Sequence, residues 1–258
     1  MYPIDLKDKV AIVFGVANQR SIGWAIAEVL HSAGAHLVIA YQNERVREGI
    51  AKLVEPWGDT LLVECDVSSD KNVAKAYEKL DARFGRLDII VHSIAFANRK
   101  DLGGHFVETG REGFRVALDI SAYSLIPVVR YGAPLMNQGG GSILTMTFQA
   151  SQKVFPGYNV MGTAKAALEN VVRQLASDLG PDNIRVNAIS AGPLDTLSSR
   201  VITGYRDMKK AHAERAPLRR NVTADEVAKT ALFFCSDLSS GVTGDIVHVD
   251  TGYNVMGI

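Results

Sequence analysis

The 258-residue chain carries only two cysteines, Cys65 and Cys235, too few for a disulfide framework or a zinc site. It has no surplus of either charge: 28 Lys+Arg stand against 28 Asp+Glu. The basic excess with which nucleic-acid binders neutralise phosphates is therefore missing, and Lys209-Lys210 and Arg219-Arg220 are the densest basic spots. No apolar run approaches the roughly 18 residues needed to span a bilayer. Met1 to Lys9 holds no apolar signal-peptide core, so neither membrane insertion nor export is expected, and the expected location is the cytoplasm. The six histidines, His31, His36, His92, His105, His212 and His248, show no metal-ligand spacing. A G-x-S-x-G nucleophile elbow is absent, which argues against a Ser-His-Asp hydrolase. There is no Pro/Gly/Ser linker, internal repeat or low-complexity tract, so residues 1–258 are expected to form one domain.

What is present is an apolar share of 47%, ample for a core in a chain of this length, and it is organised as an alternation. Short apolar runs lie at Val10–Phe14, His36–Tyr41, Thr60–Glu64, Leu87–His92, Ser142–Thr147, Ile184–Ala191 and Asp245–Val249. Most do not alternate strictly in polarity, as expected of strands covered on both faces. Helical patterns fall between them, at Ile22–Ala33, Asn43–Trp57, Asp70–Phe84, Gly113–Met136, Met161–Gly180 and Thr223–Cys235, the first stopped by Gly34. This order predicts an α/β fold: a doubly wound, mainly parallel sheet of about seven strands with helices on both faces. Residues 193–221 show no clear pattern and are expected to be a mobile segment over a ligand crevice.

The first strand runs into Gly15-Val16-Ala17-Asn18-Gln19-Arg20-Ser21-Ile22-Gly23 and then a helix. A helix N-terminus offers unpaired N–H groups and positive dipole charge, so a phosphate can dock there. Gly15 permits a sharp turn, and Ser21 can cap the helix or reach a phosphate oxygen. This is not the G-x-G-x-x-G fingerprint, and any strand–helix turn tends to hold glycine and serine. After the second strand, Gln42 can hydrogen-bond a ribose hydroxyl but offers no charge to a 2′-phosphate, so NAD is favoured over NADP. Asp66, after the third strand, can accept from an adenine amino group or cap the next helix.

The strongest chemical signal is Tyr158-Asn159-Val160-Met161-Gly162-Thr163-Ala164-Lys165. Seven residues of α-helix turn through about 700° and rise about 10.5 Å, which sets Tyr158 and Lys165 on one face. A lysine ammonium beside a phenol is expected to lower the phenol pKa toward the range of a general acid working near neutrality.

With Gly15-x₅-Ser21-Ile22, His92-Ser93-Ile94-Ala95-Phe96-Ala97, Lys165-Ala166 and Arg185-Val186-Asn187-Ala188-Ile189-Ser190-Ala191-Gly192-Pro193, the chain resembles a known family along its whole length. It is similar to the enoyl-[acyl-carrier-protein] reductases of bacterial fatty acid synthesis, a divergent branch of the short-chain dehydrogenase/reductases. The resemblance implies a single-domain Rossmann-type subunit assembling as a homotetramer. It also implies NADH as hydride donor to the β-carbon of a trans-2-enoyl thioester borne by acyl carrier protein, with Tyr158 holding the enolate oxygen. By the same resemblance Gly15, Ser21 and Ile22 line the pyrophosphate and ribose, Gln42 the adenosine ribose, and Asp66, Val67 and Ile94 the adenine. Lys165 meets the nicotinamide ribose, and Leu194, Asp195, Thr196, Leu197 and Ser198 the nicotinamide amide and phosphates. Ala97 lies beside the substrate, and Tyr205 and Met208 cover the acyl chain.

The chain departs from that pattern in three places. Phe148 stands where many members carry a second tyrosine, ten residues before Tyr158, and leaves Tyr158 as the expected lone phenol. Asp195 brings a negative charge to the pyrophosphate side and is unfavourable unless it points to solvent. Asp207 follows Arg206 where adjacent basic residues often meet the acidic carrier protein. Two other functions compete. A carbonyl or alcohol dehydrogenase would use the same Tyr158/Lys165 pair with a hydroxyl about 13 residues earlier, where Thr145 stands. A cofactor-binding sensor without turnover would have no reason to keep both Tyr158 and Lys165.

Overall fold

The computed structural model describes residues 4–136, 139–196, 199, 202 and 204–257. Its strands and helices run β1 (Val10–Phe14), α1 (Ile22–Ser32), β2 (His36–Tyr41), α2 (Glu44–Val54), β3 (Leu61–Glu64), α3 (Asp70–Phe84), β4 (Ile89–His92), α4 (Arg111–Leu118), α5 (Leu125–Gly132), β5 (Gly141–Thr147), α6 (Val160–Leu179), β6 (Ile184–Ala191), α7 (Tyr205–Arg215), α8 (Ala224–Phe234) and β7 (Ile246–Val249). The strands form one sheet in the order β3-β2-β1-β4-β5-β6-β7, every neighbouring pair parallel. The expected seven-stranded, doubly wound sheet is therefore what the chain builds.

Side chains alternate across the sheet, and helices cover both sides. Val10, Ile12 and Phe14 of β1 enter a core shared with α3, α5 and α6, while Ala11 and Val13 enter one shared with α1, α2 and α8. Burial on both faces explains why the strands read as unbroken apolar runs. The chain leaves β1 toward β2 on one side and later returns to β4 on the other. A crevice opens at that switch point, outside the carboxyl ends of the strands.

Two segments differ from the sequence expectation. The helical stretch expected over Gly113–Met136 is divided by a π-helical turn, Asp119–Tyr123. Pro127, in α5, has no N–H to give to the carbonyl of Tyr123, so a continuous α-ladder is interrupted there. Residues 193–221, expected to be patternless, contain α7. Only His212 of its eleven residues is buried, so α7 lacks the apolar stripe by which a surface helix is recognised. Among the described residues no helix is long and apolar enough to cross a membrane, and no group of three or more His, Cys, Asp or Glu is placed to hold a metal.

Candidate active site

A cavity of about 780 Å³ occupies the crevice, within the usual size of a small-molecule site. Gly15 forms its floor with φ +86°, and a β-carbon there would lie 1.9 Å from the Ser93 carbonyl oxygen. Only glycine lets the β1 loop cross so close to the segment after β4. The Ser21 hydroxyl accepts from the N–H groups of Ala17 and Asn18, each at 3.0 Å. It shapes the turn rather than capping α1, whose N-terminus carries no side-chain cap. The first N–H groups of α1 are thus available to a phosphate, with Ser21 and Ile22 on the cavity wall.

Ile94 and Ala97 line the cavity after β4. This wall is pinned by the π-helical turn, where Ser121 accepts from the Phe96 N–H and donates to the Phe96 carbonyl, both at 2.9 Å. Ser124 closes the same turn and meets Nε2 of buried His92 at 2.9 Å, while Nδ1 of His92 meets the Thr145 hydroxyl at 2.9 Å. Burial, then the Lys165 charge, pushes His92 down to about 3, so the imidazole is neutral and structural. Thr145 is wholly buried and also donates to the His92 carbonyl at 3.0 Å. Its hydroxyl faces this network and is not part of the cavity wall, which removes the group a carbonyl dehydrogenase would need there.

Tyr158 and Lys165 both reach the cavity, but not by one continuous helix. Helix α6 starts at Val160; Tyr158 sits in the turn before it, its carbonyl accepting from the Met161 N–H at 3.1 Å. The expected lowering of the phenol pKa is also not found. Burial raises it, the neighbouring Tyr205 raises it further, and the ring packs edge-on against Phe148 with centroids 5.0 Å apart. Phe148 in turn packs on Phe155 at 4.7 Å, giving the phenol an apolar wall. Lys165 is buried, and its Nζ donates to the Met146 carbonyl at 2.7 Å. Burial lowers its pKa to about 8, against an opposing pull from Glu169, itself buried and bonded to the Thr147 hydroxyl at 2.8 Å. Sequence reasoning missed Glu169, although its place four residues after Lys165 on one helix face was a usable signal.

The far wall comes from the segment after β6. Leu194, Thr196, Tyr205 and Met208 line the cavity, and the Tyr205 hydroxyl donates to the Leu194 carbonyl at 2.5 Å. Burial pushes the Tyr205 phenol up to about 12. Asp195 projects outward, with its side chain 70% exposed and held by Lys209 at 2.5 Å, so its charge is directed away from the cavity and paired. Leu197 and Ser198 lie outside the described residues. Gln42, Asp66 and Val67 are not in the cavity wall but stand at the carboxyl ends of β2 and β3, further along the same sheet edge. The alternative for Asp66 fails: Ser69 caps α3 through the Asn72 N–H, while Asp66 accepts from the N–H and hydroxyl of Ser68 at 3.0 and 2.8 Å.

The profile of the enoyl-(acyl carrier protein) reductase family matches residues 15–254 of the chain. The chain is 48% identical over 258 residues to the enoyl-[acyl-carrier-protein] reductase [NADH] FabI of Nostoc sp. PCC 7120, covering 99% of this chain and 100% of that one. It is also 48% identical over 255 residues to the enoyl-[acyl-carrier-protein] reductase [NADPH] FabI of Staphylococcus aureus MRSA252, covering 98% and 99%. The crystal structure of enoyl-[acyl-carrier-protein] reductase (NADH) from Aquifex aeolicus VF5 superposes with a TM-score of 0.95 at 43% identity, covering 98% of this chain and 99% of that one.

Proposed function

This chain belongs to the enoyl-(acyl carrier protein) reductase family, and from that premise we propose how its cavity works. It is an NAD(H)-dependent oxidoreductase that reduces the trans-2 double bond of enoyl thioesters carried by acyl carrier protein in fatty acid elongation. The observation that carries the reading is the shared cavity wall of Tyr158, Lys165 and the uncapped start of α1, in a chain whose Thr145 hydroxyl is turned away into the His92 network.

The residues present fit a dinucleotide. The N-terminus of α1 and the Ser21 hydroxyl supply hydrogen-bond donors for a pyrophosphate, and Gly15 keeps the loop floor clear. Leu194 and Thr196 line the nicotinamide side, the Asp195 charge being drawn off by Lys209. Gln42, Asp66, Val67 and Ile94, at the carboxyl ends of β2 and β3 and after β4, would hold the adenosine half. When bound, NADH would supply the hydride added to the β-carbon, and the α-carbon would take its proton from solvent. Lys165 presents its ammonium to ribose hydroxyls. Tyr158 remains protonated, because burial holds its pKa up, and donates its O–H to the thioester oxygen. That hydrogen bond strengthens as charge develops on the oxygen, so it lowers the barrier more than it tightens substrate binding. Ala97, Tyr205 and Met208 surround the acyl chain.

The same reading makes the subunit part of a homotetramer working in the cytoplasm, where the carrier protein delivers its thioester. The test follows NADH oxidation with a crotonyl or longer enoyl thioester, against ketones and β-ketoacyl thioesters. Turnover of the enoyl thioester at least a hundredfold faster is expected; comparable ketone reduction refutes the reading. Sedimentation of the purified chain checks the tetramer.

A further inference from the structure

Asn159 directly follows Tyr158 and has φ 38° and ψ −120°, the geometry of the first central residue of a type II′ turn, where glycine is the usual occupant. The turn closes with the Met161 N–H donating to the Tyr158 carbonyl at 3.1 Å. A residue with a β-carbon is strained at this backbone conformation. Glycine would be cheaper here unless the side-chain amide is itself used.

It is used, against the 98–104 loop. The Asn159 amide Nδ2 donates to the Gly103 carbonyl at 2.6 Å and lies 3.4 Å from the Gly104 carbonyl. Gly103 and Gly104 have φ of +90° and +65°, so two successive left-handed residues turn this loop back on itself. The loop, residues 98–104, contributes Asn98, Arg99, Lys100 and Leu102 to the cavity wall. Its root is seated: Asn98 bonds to the Asp101 carboxylate at 3.2 Å, and a β-carbon on Gly113 of α4 would come within 2.3 Å of that carboxylate. At its tip Asn159 supplies a side-chain tether, and the tether starts one residue from the phenol.

We infer that Asn159 is a positioning residue that ties the 98–104 loop to the turn carrying Tyr158, so that the phenol and the cavity wall built by that loop are set together around the acyl substrate. The tether is a matter of the fold; its use for substrate rests on the enoyl-thioester reading above. Two variants separate the amide from the backbone. Asn159→Gly relieves the strained conformation but deletes the donor, and Asn159→Asp keeps the shape but sets an acceptor against two carbonyls.

The first readout is amide hydrogen exchange in the cofactor-free protein. Both variants should speed exchange within 98–104 at least tenfold while the β-strands stay protected. The second is kinetic: KM for the enoyl thioester should rise five- to tenfold in Asn159→Gly, with NADH affinity within twofold of wild type. Asn159→Asp should be worse in KM than Asn159→Gly. Unchanged exchange in 98–104 in both variants overturns the tether, whatever the protein turns over. Faster exchange with an unchanged enoyl KM overturns its role toward substrate. A wild-type protein inactive on enoyl thioesters refutes the proposed function instead, and leaves the exchange experiment to judge the tether alone.

Discussion

Lys165 should make the stability and the cofactor affinity of this protein respond to pH in opposite directions. Its folded pKa is lowered to about 8 from the ordinary 10.5, chiefly by burial. Between these values the unfolded chain binds more protons than the folded one, so the Lys165 contribution to stability rises with pH through that window. The two pKa values together give about 1 kcal/mol of gain between about pH 7 and pH 9, or roughly 2 °C in Tm for a chain of this size. Cys65 and Cys235 oppose it. Burial pushes both up to about 12, so they favour the folded state less as pH rises through the unfolded thiol range. The quantity to read is therefore the slope of Tm against pH in the cofactor-free wild type minus that in Lys165→Met. The absolute Tm of the variant is not diagnostic, because Glu169 loses its buried cation. Over the same range NADH affinity of the wild type, by fluorescence titration, should weaken as pH passes about 8, since only the ammonium presents a full set of donors to ribose hydroxyls. Equal slopes in wild type and Lys165→Met would refute the buried-ammonium argument. A pH-independent NADH affinity would refute the ribose role.

Tyr158→Phe should leave Tm nearly unchanged, since the ring keeps its contact with Phe148, and should lower kcat on enoyl thioesters by about 10²–10³, the usual cost of one oxyanion donor; retention of half the wild-type kcat would sink that role. NADH should be preferred over NADPH at least tenfold in kcat/KM, because Gln42 offers a 2′-phosphate no charge and Glu44, which accepts from the Tyr41 hydroxyl at 3.2 Å, sets a carboxylate close to the end of β2. Glu44→Gln should narrow that ratio, and an NADPH preference in the wild type would show that Arg45 or Arg47 is free for the 2′-phosphate. Gly15→Ala should cost several kcal/mol or prevent folding, by clash with the Ser93 carbonyl and by its φ of +86°; a denaturation midpoint equal to wild type would show that the loop can move aside.

What could be read from the chain alone was whatever is written in residue type and local spacing. The parallel strands announce themselves because both faces are buried, and the ends of β1, β2 and β6 fall where the apolar runs do. Gly34, with φ +97°, ends α1 as its position suggested. The site residues were legible as an inventory and less so as a geometry. Tyr158 and Lys165 share a cavity wall, but periodicity placed the tyrosine on a helix that begins two residues later. Nothing local signals a type II′ turn built on asparagine rather than glycine. The lysine's actual partner is the carbonyl of Met146, a backbone atom that leaves no trace in composition. Burial then reversed the expected direction for the phenol, because desolvation exceeds the help of an ammonium directed elsewhere. Helix α7 was hidden for a related reason: its one buried residue, His212, stacks on Tyr253 at 4.6 Å, a contact between segments 41 residues apart that no periodic pattern encodes. The same holds for Asn159 and Gly103, 56 residues apart. Where function needs two distant loops held in one arrangement, the information lies in single polar contacts rather than in repeating ones, and it becomes visible only once the sheet has brought them together.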